Sequence, residues 1–195
     1  MTPPNISKQL LYKCVGIVGA GGLGSNCAAA LIRTGLCKLV IADFDTVSES
    51  NLNRQFYFVD QVGMKKVEAL YQNLIRIRPD ATILVHPLRV TPQNVARLFG
   101  GCDVVVEALD AAQEKAWFIE EMIRQLPDIP LVAASGMAGY GKLETLRTVR
   151  QGNLIVCGDG ATEVSEGTPP LAPRVGIVAL MQVDAVLEVL LKGAV

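Results

Sequence analysis

The sequence predicts a doubly wound, Rossmann-like α/β fold: a mostly parallel sheet with helices on both faces, followed by extra antiparallel strands towards the C-terminus. Three observations predict it. Runs of consecutive apolar residues alternate with helical stretches, as strands covered on both faces do. A G-x-G-x-x-G pattern at Gly19, Gly21 and Gly24 follows the first run and opens the first helix. The chain has 195 residues, 50% of them hydrophobic, with a mean hydropathy of +0.35. That is enough apolar surface for one core, so residues 1–195 are expected to form a single domain.

The elements follow in order. CVGIV is the first strand and LGSNCAAALIRTG its helix. KLVIAD is the second strand, followed by a polar loop and the helix KKVEALYQNLIRIRP. TILVH precedes TPQNVARLF, DVVVEA precedes AAQEKAWFIEEMIRQL, and IPLVAAS is the fifth strand. Beyond Ser135 the alternation stops. KLETLRTV and NLIVCG are then expected to pair antiparallel around Gln151 and Gly152. Residues 158–174 are rich in Gly, Pro, Ser and Thr and predict a loop. VGIVALMQVDAVLEVLL predicts a terminal helix on which Asp184, Glu188 and Lys192 form one polar stripe, so its other faces are buried in the core or at a subunit contact.

Composition narrows the function. A net charge of −1 supplies no broad cationic field, which argues against nucleic acid as a partner. Asp184 and Glu188 argue against a membrane span, and Lys8 and Lys13 break any signal-peptide core. The five cysteines are odd in number and widely spaced, pointing to reduced thiols and a cytoplasmic protein. With no C-x-x-C pair, no structural zinc is expected.

The glycine loop, with Gly19, Gly21, Gly22, Leu23 and Gly24, permits close backbone approach by phosphate, and the helix that follows points free N–H groups at the anion. Asp43 ends the second strand 19 positions beyond Gly24, where an acid accepts hydrogen bonds from ribose hydroxyls. These features fit NAD and ATP equally. The segment DFDTVSESNLNRQF, with the helix behind it, adds Asn51, Arg54, Gln55 and Lys66 around the same crevice. An Arg fork and a Lys point charge suit a polyphosphate better than a nicotinamide dinucleotide. Either cation could instead be an ordinary solvated charge, as Lys65 is expected to be. Asp110 falls at the carboxyl edge of the fourth strand, where it suits Mg2+ or, equally, the N-cap of the following helix. The sole histidine, His86, is expected to be structural or to flank an adenine.

GAGGLGS, DFDTVSESNLNRQ, VGMKKVEA and the acid at Asp110, in that order, resemble the ThiF/MoeB/HesA family, bacterial relatives of ubiquitin-activating enzymes. The resemblance implies ATP-dependent adenylation of the C-terminal glycine of a ubiquitin-like sulfur carrier ending in Gly-Gly. ThiS of thiamine biosynthesis is the first candidate and the molybdopterin carrier MoaD the second. It assigns ribose binding to Asp43, phosphate contacts to Asn51, Arg54 and Lys66, magnesium to Asp110 and a supporting contact to Gln55. Arg54, Lys66 and Asp110 would be its catalytic residues, and a homodimer its assembly. An NAD-dependent oxidoreductase or a non-catalytic carrier-binding module are the competing classes.

The chain departs from that pattern in lacking the two C-x-x-C zinc pairs of many relatives and an arginine ahead of the first strand. MTPPNISKQLLYK holds no arginine to reach a neighbouring subunit's nucleotide. Cys157 is the only late cysteine, either a strand-end residue or a thiol that takes over the carrier. The loop after it, and MAGYG at Met137–Gly141, are candidates for holding an extended carrier tail.

Overall fold

The computed structural model describes residues 4–192. Strands β1 (Cys14–Val18), β2 (Lys38–Ala42), β3 (Thr82–His86), β4 (Val104–Glu107), β5 (Leu131–Ala134), β6 (Arg147–Gln151) and β7 (Leu154–Gly158) form one sheet. Their order is β3-β2-β1-β4-β5-β7-β6. All neighbours run parallel except β6, which pairs antiparallel with β7. The five parallel strands and β7 stand where the sequence places them, but the first strand of the hairpin is shifted: Leu143–Thr145, expected as strand, form a 3-10 turn, and β6 begins only at Arg147. The order of β6 and β7 was not legible: β7 docks on β5 and leaves β6 at the edge, with all five of its residues exposed.

Helices α1 (Pro4–Leu10), α2 (Gly22–Thr34), α3 (Lys66–Ile77) and α6 (Ala172–Lys192) share one core with the sheet, through Ile17, Leu31, Leu70 and Val186. Helices α4 (Val95–Phe99) and α5 (Ala112–Gln125) cover the opposite face through Phe99, Phe118 and Met122. The strands between them are buried on both sides, so their apolar runs are continuous rather than alternating. Helix α1 is too short for periodicity to reveal. Helix α6 starts three residues earlier than its apolar run suggests, because Pro173 is tolerated in a first helical turn. Asp184 faces solvent as expected, while Glu188 pairs with Arg150 of the edge strand and, at 3.5 Å, with Lys192.

Strand β1 lies between β2, which precedes one crossover, and β4, which follows another. The chain therefore reverses its direction of winding at β1, and a crevice opens beyond the carboxyl ends of β1 and β4. Its floor admits no side chains. Gly19 has φ +89, and a Cβ there would meet the Ala108 carbonyl oxygen at 2.6 Å. A Cβ on Gly24 would meet the Gly19 carbonyl oxygen at 1.9 Å, so helix α2 can approach the loop only as glycine.

Candidate functional site

The crevice is a cavity of about 550 Å3 whose wall brings together Gly19, Gly21, Gly22, Leu23, Asp43, Arg54, Gln55, Lys66 and Asp110. Gly24 lies behind the wall, packed on Gly19. Asn51 is not on the wall either. Its side-chain oxygen accepts the Ser48 N–H at 3.1 Å, and its carbonyl accepts the N–H groups of Arg54 at 3.1 Å and Gln55 at 2.9 Å. It thereby shapes the turn that presents those two side chains.

Asp43, just beyond β2, accepts the Ala20 N–H at 2.6 Å and the Asp45 N–H at 2.7 Å. Burial raises its carboxyl above the usual range, against the pull of those two N–H groups and Lys66. Tyr57 donates its hydroxyl to the Ala20 carbonyl at 2.6 Å, so the glycine loop is held from both sides. Two further side chains join this loop to the arginine segment. Ser25, fully buried, donates to the Gly21 carbonyl at 2.6 Å and accepts the Phe56 N–H at 3.0 Å. Asn26 donates to the carbonyls of Gly22 at 2.6 Å and Arg54 at 3.0 Å.

The cations differ in their surroundings. Lys66 is the first residue of α3, its side chain 9% exposed, with Nζ 2.8 Å from Asp45 Oδ2. Arg54 donates to the Ser50 carbonyl at 3.0 Å and to Asn53 Oδ1 at 2.7 Å, and among the described residues it has no acidic partner. Its charge is thus uncompensated at the cavity. Gln55 Oε1 is buried with no hydrogen-bond partner among the described residues. A buried orphan acceptor is costly unless a bound molecule or water donates to it.

Asp110 is exposed, and the N-cap of α5 is Ala111, whose side chain makes no capping bond. The N-cap alternative therefore does not describe Asp110, which lines the cavity instead. The turn that carries it is pinned from behind by Glu107, a residue not singled out in the sequence. This fully buried carboxylate accepts Lys115 Nζ through both oxygens at 2.9 Å and the Leu109 N–H at 2.7 Å. Burial raises the Glu107 carboxyl, opposed by Lys115. Gln182 of α6 ties the Glu107 carbonyl, at 2.9 Å, to that of Val132 at 3.1 Å. At the other end of the cavity the Arg89 guanidinium lies 4.5 Å from the Phe44 ring centroid and pairs with Glu114 at 2.9 Å. Leu88 and Trp117 line the same cavity.

A glycine floor, an acid just beyond β2, two cations and an acid beyond β4 define the site. The model of the ThiF family matches residues 3–194. The chain belongs to the ThiF family. Ubiquitin-like modifier-activating enzyme 5 of Caenorhabditis briggsae is 42% identical over 94 residues, covering 48% of this chain and 22% of that protein. The tRNA threonylcarbamoyladenosine dehydratase of Escherichia coli K12 is 38% identical over 125 residues, covering 63% of this chain and 46% of that protein. The chain thus spans less than half the length of these curated relatives. Among solved structures, the E. coli dehydratase TcdA in complex with ATP has a TM-score of 0.88 at 23% identity, covering 98% of this chain and 90% of that one. E. coli MccB with AMPCPP and MccA has a TM-score of 0.74 at 19% identity, covering 96% of this chain and 58% of that one. These two likenesses show the fold.

In this ThiF-family chain His86 and Cys157 lie away from the cavity wall. His86 ends β3, and its carbonyl accepts the Asp43 N–H at 3.2 Å. Cys157 is 0% exposed, its sulfur 3.7 Å from Thr148 Oγ1, and burial pushes its thiol up. That disfavours the thiolate that a carrier transfer needs. Among the described residues no helix is long and apolar enough to cross a membrane, and no three His, Cys, Asp or Glu side chains cluster as metal ligands.

The loop after β7 contributes Val164 and Pro170 to the cavity wall, which Met137 also lines. It is anchored by Asp159, which accepts Arg174 Nη2 at 2.5 Å and the N–H groups of Ala161 and Thr162 at 2.8 Å, and also the Thr162 hydroxyl. Arg174 also donates to the Gly141 carbonyl at 2.5 Å, so both glycine-rich segments hang on one guanidinium. Burial opposes the charge on Asp159, but these hydrogen bonds and Arg174 outweigh it and hold the carboxyl down to about 2. A depressed folded-state value stabilises above the ordinary carboxylate value, near 3.8, and that contribution is lost as pH falls through about 2. Arg174→Met is therefore expected to speed proteolysis between residues 160 and 170 at neutral pH. Wild-type cleavage should accelerate only below about pH 4, where an unfolded Asp begins to take up protons. Equal cleavage of both proteins at neutral pH would show that the ion pair does not hold the loop.

Proposed function

We propose that this chain adenylates the C-terminal carboxylate of a small ubiquitin-like sulfur carrier with ATP, releasing pyrophosphate, with ThiS as the first candidate carrier and a MoaD-type carrier as the second. The observation that carries the reading is the convergence of Asp43, Arg54, Gln55, Lys66 and Asp110 on one glycine-floored cavity. ATP fits that wall. Asp43 meets the ribose, the wall formed by Phe44 and Trp117 receives the base, and the glycine loop with Arg54 and Lys66 receives the phosphates. Gln55 Oε1, an acceptor, takes an N–H or O–H donor and no phosphate oxygen. Solved relatives with ATP support the nucleotide, and the relative titled by its action on ubiquitin-like modifiers supports the carrier class.

The carrier's carboxylate is ionised at neutral pH, attacks the α-phosphorus and needs no general base. This chain's residues hold the two reactants in line and compensate charge on the departing pyrophosphate. Asp110 would hold Mg2+, which supplies further positive charge at the phosphates when bound. A second copy of the chain is the proposed partner of α6, where Leu180 is 56% exposed.

A second reading has its own support: this chain covers 90% of the TcdA chain, against 58% of MccB. It is ATP-dependent dehydration of a threonylcarbamoyladenosine in tRNA. The net charge of −1 weighs against a tRNA partner. ATP–pyrophosphate exchange measured with ThiS, with a MoaD-type carrier and with modified tRNA separates them. Exchange that requires a Gly-Gly carrier is expected. Exchange that requires tRNA would replace the carrier reading, and tight NAD binding with no exchange would remove both.

A further inference from the structure

Wide spacing in the sequence conceals one pair of cysteines. Cys14 opens β1, and Cys102 sits just before β4, its sheet neighbour. Their sulfurs are 4.0 Å apart. The surrounding backbone is fixed: Asp103 donates its N–H to the Cys14 carbonyl at 2.8 Å, and its carboxylate accepts the Cys14 N–H at 2.8 Å and Lys13 Nζ at 3.0 Å. Cys14 is partly exposed while Cys102 is 7% exposed, so Cys14 is the more accessible of the two. A bonded pair needs sulfurs about 2.05 Å apart.

The chemistry of the two thiols is unequal. Cys14 is held below the usual thiol range by the hydrogen bond from Cys102, with Lys38 helping and burial and Asp103 opposing. Cys102 is pushed up by the same bond and by burial. An attacking thiolate with a protonated neighbour behind it is the arrangement of a thiol that reacts first and a second that resolves it. The other three cysteines, Cys27, Cys37 and Cys157, are buried, and the Cys27 sulfur lies 3.3 Å from the Ala179 carbonyl oxygen.

We propose that Cys14 and Cys102 form a reversible dithiol–disulfide site at the amino-terminal edge of the sheet, oxidised by low-molecular-weight disulfides of the glutathione class. The Cys14 thiolate attacks one sulfur of the oxidised glutathione, its S–S bond breaks, and one glutathione thiolate leaves. Cys102 then gives its proton to water and attacks Cys14 Sγ, and the second glutathione leaves. The protein loses two electrons and two protons, and one glutathione disulfide becomes two glutathione thiols. The new bond closes a loop that contains the glycine loop, Asp43, Arg54 and Lys66, so the oxidised chain loses less freedom on folding. It sits about 16 Å from Gly19, at roughly 3.3 Å per residue of strand. Nucleotide binding and redox state are thereby separable.

The test exposes the full reduced chain to oxidised glutathione, quenches with acid, alkylates after unfolding and maps peptides by mass spectrometry. A Cys14–Cys102 cross-linked peptide is expected, with Cys27, Cys37 and Cys157 all alkylated and the bond reversed by dithiothreitol. The oxidised protein should melt at a higher temperature than the reduced one. Cys102→Ser should trap glutathione on Cys14, and Cys14→Ser should leave position 102 unmodified. A glutathione adduct that persists on Cys14 of the wild type without a cross-link, or five alkylated cysteines after prolonged oxidation, would overturn the proposal.

Discussion

Lys66→Met is expected to lower carrier-dependent ATP–pyrophosphate exchange by about 10²- to 10³-fold, the usual loss when one preorganised charge stabilising a transition state is removed. The geometry makes the loss twofold in kind. The ammonium, 9% exposed, sits on the cavity wall, so its removal takes a positive charge from the expected path of the phosphates. It also unmasks Asp45, whose Oδ2 is bonded to it at 2.8 Å, leaving a bare carboxylate close to Asp43 and facing an anion. Adding Asp45→Asn to Lys66→Met separates the two effects. Nucleotide affinity should recover in the double variant, read by calorimetry, while exchange stays low. Full exchange in Lys66→Met alone would remove Lys66 from the phosphate site, and full recovery in the double variant would reduce it to a neutraliser of Asp45.

The second large effect is on stability. Lys115→Met is expected to cost about 3–5 kcal/mol, the usual penalty for leaving one partner of a buried ion pair alone. Glu107 is fully buried, while Lys115 retains 20% exposure, so the carboxylate has no route to water and the ammonium is its main compensation. The folded carboxyl is already raised by burial, and Lys115 is its largest opposing influence. Without Lys115 it rises further. A group raised on folding supports stability fully below its unfolded value and loses that support as pH rises through the folded value. The deficit of the variant should therefore be small in acid and grow towards neutral pH in urea titrations. Glu107→Gln added to Lys115→Met should recover most of the loss, because a neutral amide still accepts the Leu109 N–H. A pH-independent deficit would show that lost packing, not the unpaired charge, sets the cost.

The strands and the glycine loop were legible because their signals are local: consecutive apolar residues, and glycines where a Cβ would strike a carbonyl. Asp43, Arg54, Gln55, Lys66 and Asp110 were legible as a set because each follows a strand on the winding-reversal side of the sheet. What escaped were relations between distant segments. Asp45 reads as one more loop acid until the turn between residues 46 and 65 folds it back on Lys66. Asn51 read as a ligand contact, but its side chain closes its own turn. Arg174 and Asp159 belong to a stretch whose composition predicted only a loop. Cys14 and Cys102 became neighbours through strand order, which local patterns do not carry.

The side chains of Ser25 and Asn26 have a wider effect than their small size suggests. By gripping the Phe56 amide and the Arg54 carbonyl from the first turn of α2, they tie the glycine loop to the arginine segment. The binding surface then exists before nucleotide arrives, and little ordering entropy is spent on entry. The association rate for ATP should accordingly be set by diffusion and charge rather than by a slow rearrangement, leaving induced motion to the carrier side of the proposed reaction.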